Sequence, residues 1–371
     1  MKIVHVTPFY APVIGGVEEV VKRIAEFTAS RGYKTYVVTY NRLRRGGVGA
    51  MPREEVINGV RVIRLRPDVI WSHGSLSTEL LRIIRSLRPD VVHVHVWRHP
   101  HVFQIAALRR KLRFRAVLHG HAPFHAPGQL GVVTSSYHKL VDVLGGRLVR
   151  LFDTYVALTP DEAMRVVKLG LGRERVVVIP NGVDEDSCDT SSALREEGLV
   201  LYLGRVSAQK NLDLLVRAAA LAAKSFKLAI AGPDEGIVNR LLEYARRRGV
   251  ELRYLGPVSD EVKHLLYSKS TVYALPSIYE PFGMTLLEAA IHGTPSVITG
   301  EGGQLYAAPP GRASVWARPD PRSYAEAIIM LLTDGALWRR LSHGAREWAL
   351  LHTWDKILPR YERLYCKLTS A

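Results

Sequence analysis

Two carboxylates, Glu280 and Glu288, flank the run Phe282-Gly283-Met284-Thr285 in YEPFGMTLLEA, and LGRVSAQKNL places Arg205 and Lys210 between an apolar strand pattern and a helical one. A glutamate pair beside a glycine suits the acid and base of a sugar hydrolase, two metal ligands, or two binding groups with separate tasks. TVYALPSIYEPFGMTLLEAAIHG reads as strand, loop and a helix starting near Gly283, so Glu280 falls in the loop and Glu288 inside the helix. That helix start offers the N–H groups of Met284 and Thr285 to an anion, and Gly283 allows close approach. Carboxylates on either side of an anion site suit sugar hydroxyls at Glu280 and a ribose at Glu288 better than a hydrolytic pair. Arg205 as a fork and Lys210 as a point charge suit diphosphate oxygens, although a loop of this kind standing alone equally fits solvated surface charge. Gly232 in AGPDEG and Gly256 in LGPVSDE end strand patterns, where a base or ribose can lie against the backbone. Gly15 and Gly16 open a helix after the first strand without a GxGxxG fingerprint.

The elements that must position these residues alternate along the whole chain. Val-rich runs such as KIVHVT, DVVHVHV, RFRAVLH and TYVAL are separated by amphipathic helical patterns, one of them starting near Leu76, and this implies a parallel sheet covered on both faces. After the polar stretch NGVDEDSCDTSSALREEG the alternation restarts with LVLYLG and FKLAIAG. The expected organisation is α/β. A Rossmann-like doubly wound domain over 1–181 faces a second over 182–353 across an interdomain cleft, and a C-terminal helix over 354–371 packs back on the first. At 371 residues and 47% apolar composition the chain can bury two such cores.

Charge divides unevenly. The formal net charge is +16; residues before Asn181 carry 28 Lys and Arg against 13 Asp and Glu, whereas the rest carry 23 against 22. An excess of +15 in one half implies an anionic partner such as nucleic acid, an acidic lipid surface or a phosphorylated acceptor. Arg109, Arg110, Lys111, Arg113 and Arg115 cluster beside Ile105, Leu108, Leu112 and Phe114, and Arg42, Arg44 and Arg45 add a second basic loop. Binding of single-stranded nucleic acid calls for aromatic residues among the cations, and this segment has only Phe114. No signal-peptide pattern and no apolar run near membrane-spanning length is found, so the expectation is a cytoplasmic protein, peripheral on the inner face of the membrane. Cys188 and Cys366 stand far apart without CxxC spacing and suggest neither a disulfide framework nor a zinc site. The scarcity of Asn and Gln, nine together, fits a high-temperature source. Seven of the fourteen histidines lie between His93 and His125. Metal ligation is one reading of them; hydrogen-bond donors lining the cleft around the loop from Gly120 to Gly131 are the preferred one, and no metal is expected, neither there nor at Asp184-Glu185-Asp186.

The ordered set Gly204-Arg205 with Lys210, then Glu280-Pro281-Phe282-Gly283 with Glu288, resembles retaining GT-B glycosyltransferases of family 4, as in glycogen-synthase-like enzymes and lipid mannosyl- or glucosyltransferases. IGGVEEVV, DVVHVH, AVLHG, VVVIPNGVD and the terminal TW…YERLY extend the resemblance over essentially the whole chain. It implies transfer of a hexosyl group from a UDP- or GDP-sugar, with retention, to an acceptor hydroxyl held by the N-terminal domain, and no cofactor. It further implies that Arg205, Lys210 and the backbone of Met284 and Thr285 hold the diphosphate, Glu280 the sugar and Glu288 the ribose. His119 matches the active-site histidine, Gly16 the glycine loop near the diphosphate, and Val258 with Asp260 and Lys263 the base pocket. Family members often carry a glutamate where GEGGQLYAA has Gln304. A membrane lipid is the expected acceptor given the basic first half; a soluble sugar or sugar phosphate is the alternative, and a non-enzymatic nucleic-acid-binding protein a remote one.

Overall fold

A computed structural model describes residues 1–43, 47–71, 74–109, 111–124, 132–185, 194–222, 225–300 and 302–370. The chain divides into two compact units, Met1–Asn181 with Asp355–Ala371, and Gly182–Trp354. Arg44, Arg45, Arg110, Asp186, Cys188 and residues 125–131 of the Gly120–Gly131 loop lie outside the described residues.

The first unit runs β1 (Lys2–Val6), α1 (Gly16–Ser30), β2 (Lys34–Tyr40), β3 (Glu54–Ile57), β4 (Val60–Leu65), β5 (Val69–Trp71), β6 (Gly74–Leu76), α2 (Glu79–Leu87), β7 (Val91–His95), α3 (Pro100–Arg109), β8 (Arg115–His119), α4 (Val132–Val149), β9 (Thr154–Ala157), α5 (Pro160–Lys168) and β10 (Val176–Val178). Its main sheet has the order β10-β9-β8-β7-β1-β2-β4-β3, parallel except for the edge strand β3. The strand order reverses at β1, and all residues of β7 are buried, as expected for a sheet covered on both faces. Two features depart from the alternation read in the sequence. Asn58 and Gly59, with φ of 47° and 81°, form a two-residue hairpin turn that adds β3. The helix expected from Leu76 starts at Glu79 instead, because Gly74–Leu76 pairs with β5 and the Asp68 carboxylate accepts from the Thr78 N–H at 2.7 Å.

The second unit runs β11 (Leu199–Leu203), α6 (Leu212–Leu221), β12 (Lys227–Ala231), α7 (Val238–Arg248), β13 (Leu252–Tyr254), α8 (Asp260–Lys269), β14 (Val272–Leu275), α9 (Met284–Ile291), β15 (Ser296–Ile298), α10 (Gln304–Ala307), β16 (Ser314–Trp316), α11 (Pro321–Thr333) and α12 (Gly335–Leu350). Its all-parallel sheet has the order β13-β12-β11-β14-β15-β16, reversing at β11. The final helix, α13 (Trp354–Ser370), belongs from Asp355 onward to the first unit. Its Tyr361 and Tyr365 are wholly buried. Among the described residues no helix is long and apolar enough to cross a membrane.

Candidate functional site

In the second unit the candidate residues collect at the carboxyl ends of β11 to β14, where ligands bind in open α/β sheets. Three glycines bring those strand ends close. A Cβ on Gly232 would stand 1.9 Å from the Gly204 carbonyl oxygen, and the Gly232 N–H donates to Gly256 at 2.7 Å. Beyond Gly204 the chain exposes Arg205, whose guanidinium lies 3.2 Å from Glu235, and makes a short turn ending at Lys210. The Lys210 Nζ reaches across 70 residues of sequence to donate to Glu280 Oε1 at 2.5 Å. Glu280 is 7% exposed, and Gly283, left-handed at φ 88°, starts α9 behind it. The N–H groups of Met284 and Thr285, in the first turn of α9, have no carbonyl four residues back within the helix and present its positive end.

Glu288, farther along α9, accepts from the Tyr267 hydroxyl at 2.8 Å and lies 3.5 Å from Lys263. Each carboxylate therefore has its own lysine. Val258 is half-buried two residues beyond Gly256, just before the Ser259 cap of α8. Gln304 is wholly buried: its amide donates to the Ser277 carbonyl, its oxygen accepts from the Gly300 N–H at 3.4 Å, and the adjacent Gly303 N–H donates to Glu280 O at 2.9 Å. The residue that departs from the family pattern thus braces the loop carrying Glu280. Tyr267 was not singled out from the sequence, where a lone tyrosine in a helical pattern gives no signal.

The first unit gathers histidines instead. His5, His93, His95 and His119 are wholly buried and His121 is 7% exposed. His95 sits between two neighbours, with Nε2 3.1 Å from His5 Nδ1 and Nδ1 3.1 Å from His121 Nε2. The His93 Nδ1 meets the Tyr365 hydroxyl at 2.7 Å, and His119 stacks on His121 with centroids 3.8 Å apart. Burial pushes His5 and His121 down to about 3 and holds His93, His95 and His119 well below the usual histidine range, neighbouring imidazoles adding to the effect. Neutral imidazoles can be metal ligands, and two groups, His5–His93–His95 and His95–His119–His121, place one such atom per residue within 4.8 Å of the others. His5 Nε2, His93 Nε2 and both His119 nitrogens have no hydrogen-bond partner among the described residues, each a cost of about 1–3 kcal/mol if nothing else meets it.

Glu162 holds the loop after β8. Its carboxylate accepts from the Tyr155 hydroxyl at 2.7 Å and from the N–H groups of Leu158 at 2.8 Å and Ala122 at 3.0 Å. A Cβ on Gly120 would collide with Tyr155 and Glu162, and His121 and Ala122 are held at positive φ. Burial pushes the Glu162 carboxyl up to about 7 against those hydrogen bonds. The sequence shows Glu162 only as the far end of a Thr159 capping box. Gly16 is exposed at the start of α1.

The family profile described as Glycosyltransferase Family 4 matches residues 14–187, and that described as Glycosyl transferases group 1 matches residues 187–348. The chain belongs to glycosyltransferase family 4. This glycosyltransferase is 27% identical, over 98% of both chains, to an uncharacterized glycosyltransferase of Methanocaldococcus jannaschii. Sucrose-phosphate synthase from Thermosynechococcus elongatus superposes with a TM-score of 0.82 over 100% of this chain and 99% of that one, at 21% identity. Anabaena HepE, in a crystal structure with UDP-glucose, gives 0.76 over 99% and 100%, at 17% identity. The fold is GT-B, built from two Rossmann-like domains.

The basic segments behave differently from the sequence expectation. Arg109 and Arg115 lie 3.1 and 3.7 Å from Asp153, and Ile105, Leu108 and Phe114 are core residues of the glycosyltransferase's first unit; among the described residues of this segment, Lys111 and Arg113 are the exposed cations outside an ion pair. Arg42 is buried, bonded to Gly74 O and Ser75 Oγ and stacked on Phe9, so it is no surface cation. Apolar surface instead appears on α4, where Leu140, Val143 and Leu144 are 56%, 74% and 67% exposed beside exposed Lys139 and Arg147.

Proposed function

We propose that this enzyme transfers a hexosyl group from a nucleoside diphosphate sugar to an acceptor hydroxyl with retention at the anomeric carbon. The carrying observation is the Lys210–Glu280 pair at the start of α9, a cation for the diphosphate and a carboxylate for the sugar set 2.5 Å apart. Arg205, Lys210 and the Met284 and Thr285 N–H groups stabilise the leaving diphosphate, and Glu288 takes the ribose. Gly232 and Val258 border the nucleoside, and His119 and Gly16 shape the sugar side. The acceptor oxygen bonds to the anomeric carbon on the face from which the phosphate oxygen departs, and the acceptor's proton passes to that phosphate oxygen. No protein nucleophile, metal or further cofactor is invoked for this step. The UDP-glucose held by HepE supports a UDP-sugar as the first donor to try. A panel of UDP- and GDP-sugars, assayed for release of the nucleoside diphosphate, tests the reading; release from none of them rejects it.

The acceptor in this proposal is a lipid at an anionic membrane face, and α4 supports it with an apolar stripe flanked by cations. Each cation near such a surface contributes about 1 kcal/mol. Nucleic acid fits less well, since Phe114 is buried rather than available for stacking. Sedimentation with anionic liposomes at low salt should carry the protein down, and Val143→Asp with Leu144→Asp should release it. A protein that ignores such vesicles points to a soluble sugar or sugar-phosphate acceptor.

A further inference from the structure

We propose that the first unit binds a divalent transition ion of borderline softness, such as Zn²⁺ or Co²⁺, through His5, His93 and His95. Strand register makes the three converge. His5 of β1 stands opposite His93 of β7 in the parallel ladder, and His95, two residues on, projects from the same face. One nitrogen from each lies within 4.8 Å of the other two, inside a wholly buried cluster. Ligand nitrogens of a tetrahedral site with bonds of about 2.0–2.1 Å stand roughly 3.4 Å apart, so modest ring rotation closes this set on an ion.

Two further features point to a ligand. The Nε2 atoms of His5 and His93 are buried without a hydrogen-bond partner, where an ion would give them one. The other His93 nitrogen meets the Tyr365 hydroxyl of α13 at 2.7 Å, the outer contact that fixes a ligating imidazole's orientation and tautomer. Imidazoles without carboxylates select Zn²⁺, Co²⁺, Ni²⁺ or Cu²⁺ over Mg²⁺ or Ca²⁺. The overlapping trio of His95, His119 and His121 contains the histidine that the transfer reading reserves for the sugar, so the ion is assigned to the first trio. There it pins β1 to β7 and takes no part at the phosphates.

The test uses the full chain carrying a histidine-free tag, unfolded, refolded with excess Co²⁺ or Zn²⁺ and desalted. The expected result is about one ion per chain, with visible absorption bands from Co²⁺ bound through imidazole nitrogens and a higher Tm than the metal-free protein. His93→Gln and His5→Gln should each lose most of the bound ion, and His264→Gln in the second unit should keep it. Tyr365→Phe retains every ligand and should weaken Co²⁺ binding about tenfold. Wild-type protein refolding with no bound ion overturns the proposal, as does an unchanged ion content in folded His93→Gln. If that variant does not fold, unchanged Co²⁺ affinity in Tyr365→Phe overturns it instead.

Discussion

Near the carboxyl ends of the central strands of two sheets built on one plan, the first unit clusters neutral histidines, whereas the second sets glutamates against lysines. His5, His93, His95 and His119 are kept neutral by burial, and Glu162 takes its hydrogen bonds from a tyrosine and backbone amides. In the second unit Glu280 and Glu288 each sit against a lysine, and Arg205 against Glu235. Both solutions avoid an isolated buried charge, one by neutralising the group and the other by pairing it. The difference teaches what each sheet is prepared to receive: a pre-paired lysine can exchange its carboxylate for a phosphate, whereas a neutral cluster offers lone pairs and hydrogen bonds.

The sharpest way to break this comparison is to remove one member of the charged pair. Lys210→Ala and Glu280→Ala should each lower turnover about a hundred- to a thousandfold, roughly 2.7–4 kcal/mol, while circular dichroism shows the fold retained. Near-normal turnover at saturating donor would remove both residues from the reaction.

The next effect is a pH dependence located in the first unit. The Glu162 carboxyl is raised from 4.5 to about 7 in the folded protein. Between those values the unfolded chain releases its proton first, so this group's contribution to stability is full below pH 4.5, declines as pH rises and levels off above about 7. Replacing it by Gln removes that slope, and the stability gap between wild type and Glu162→Gln should shift by on the order of 3 kcal/mol across the window. Denaturant titrations at several pH values measure it; parallel curves would mean that Glu162 is ionised throughout.

Backbone packing comes third. Gly232→Ala should cost about 1–3 kcal/mol, because the added carbon meets the Gly204 carbonyl and the residue sits at φ 131°. Thermal unfolding measures it, and an unchanged Tm would show that these strand ends can spread. Smallest is Tyr267→Phe, which should raise the donor KM several-fold with kcat nearly unchanged, on the order of 1 kcal/mol, because it orients Glu288 without touching the reacting carbon. A fall in kcat at constant KM would place Glu288 in the chemical step instead.

The parts of the proposed donor site are local in the sequence. Glu280 and Glu288 sit on one loop and helix, Arg205 and Lys210 on another, and the turn chemistry of Gly283 announces the helix start. The first unit was less legible. Its histidines stand out by number, yet nothing in HVHVWRHPH says whether they face solvent or a second helix, and α13 with Tyr361 and Tyr365 lies far away in sequence. The pairing of Arg109 was not legible for the same reason, since Asp153 stands 44 residues away.

By itself the sequence determined two largely parallel sheets, because strand and helix periodicities are properties of neighbouring residues, and its ordered loop motifs carried the resemblance to a glycosyltransferase family. Only the tertiary structure decided which charges are paired and which polar groups are buried: Lys210 with Glu280, Tyr267 with Glu288, Glu162 under Gly120, and His5 beside His93 and His95. These partners are set by strand order and register across tens of residues, and local periodicity is blind to both.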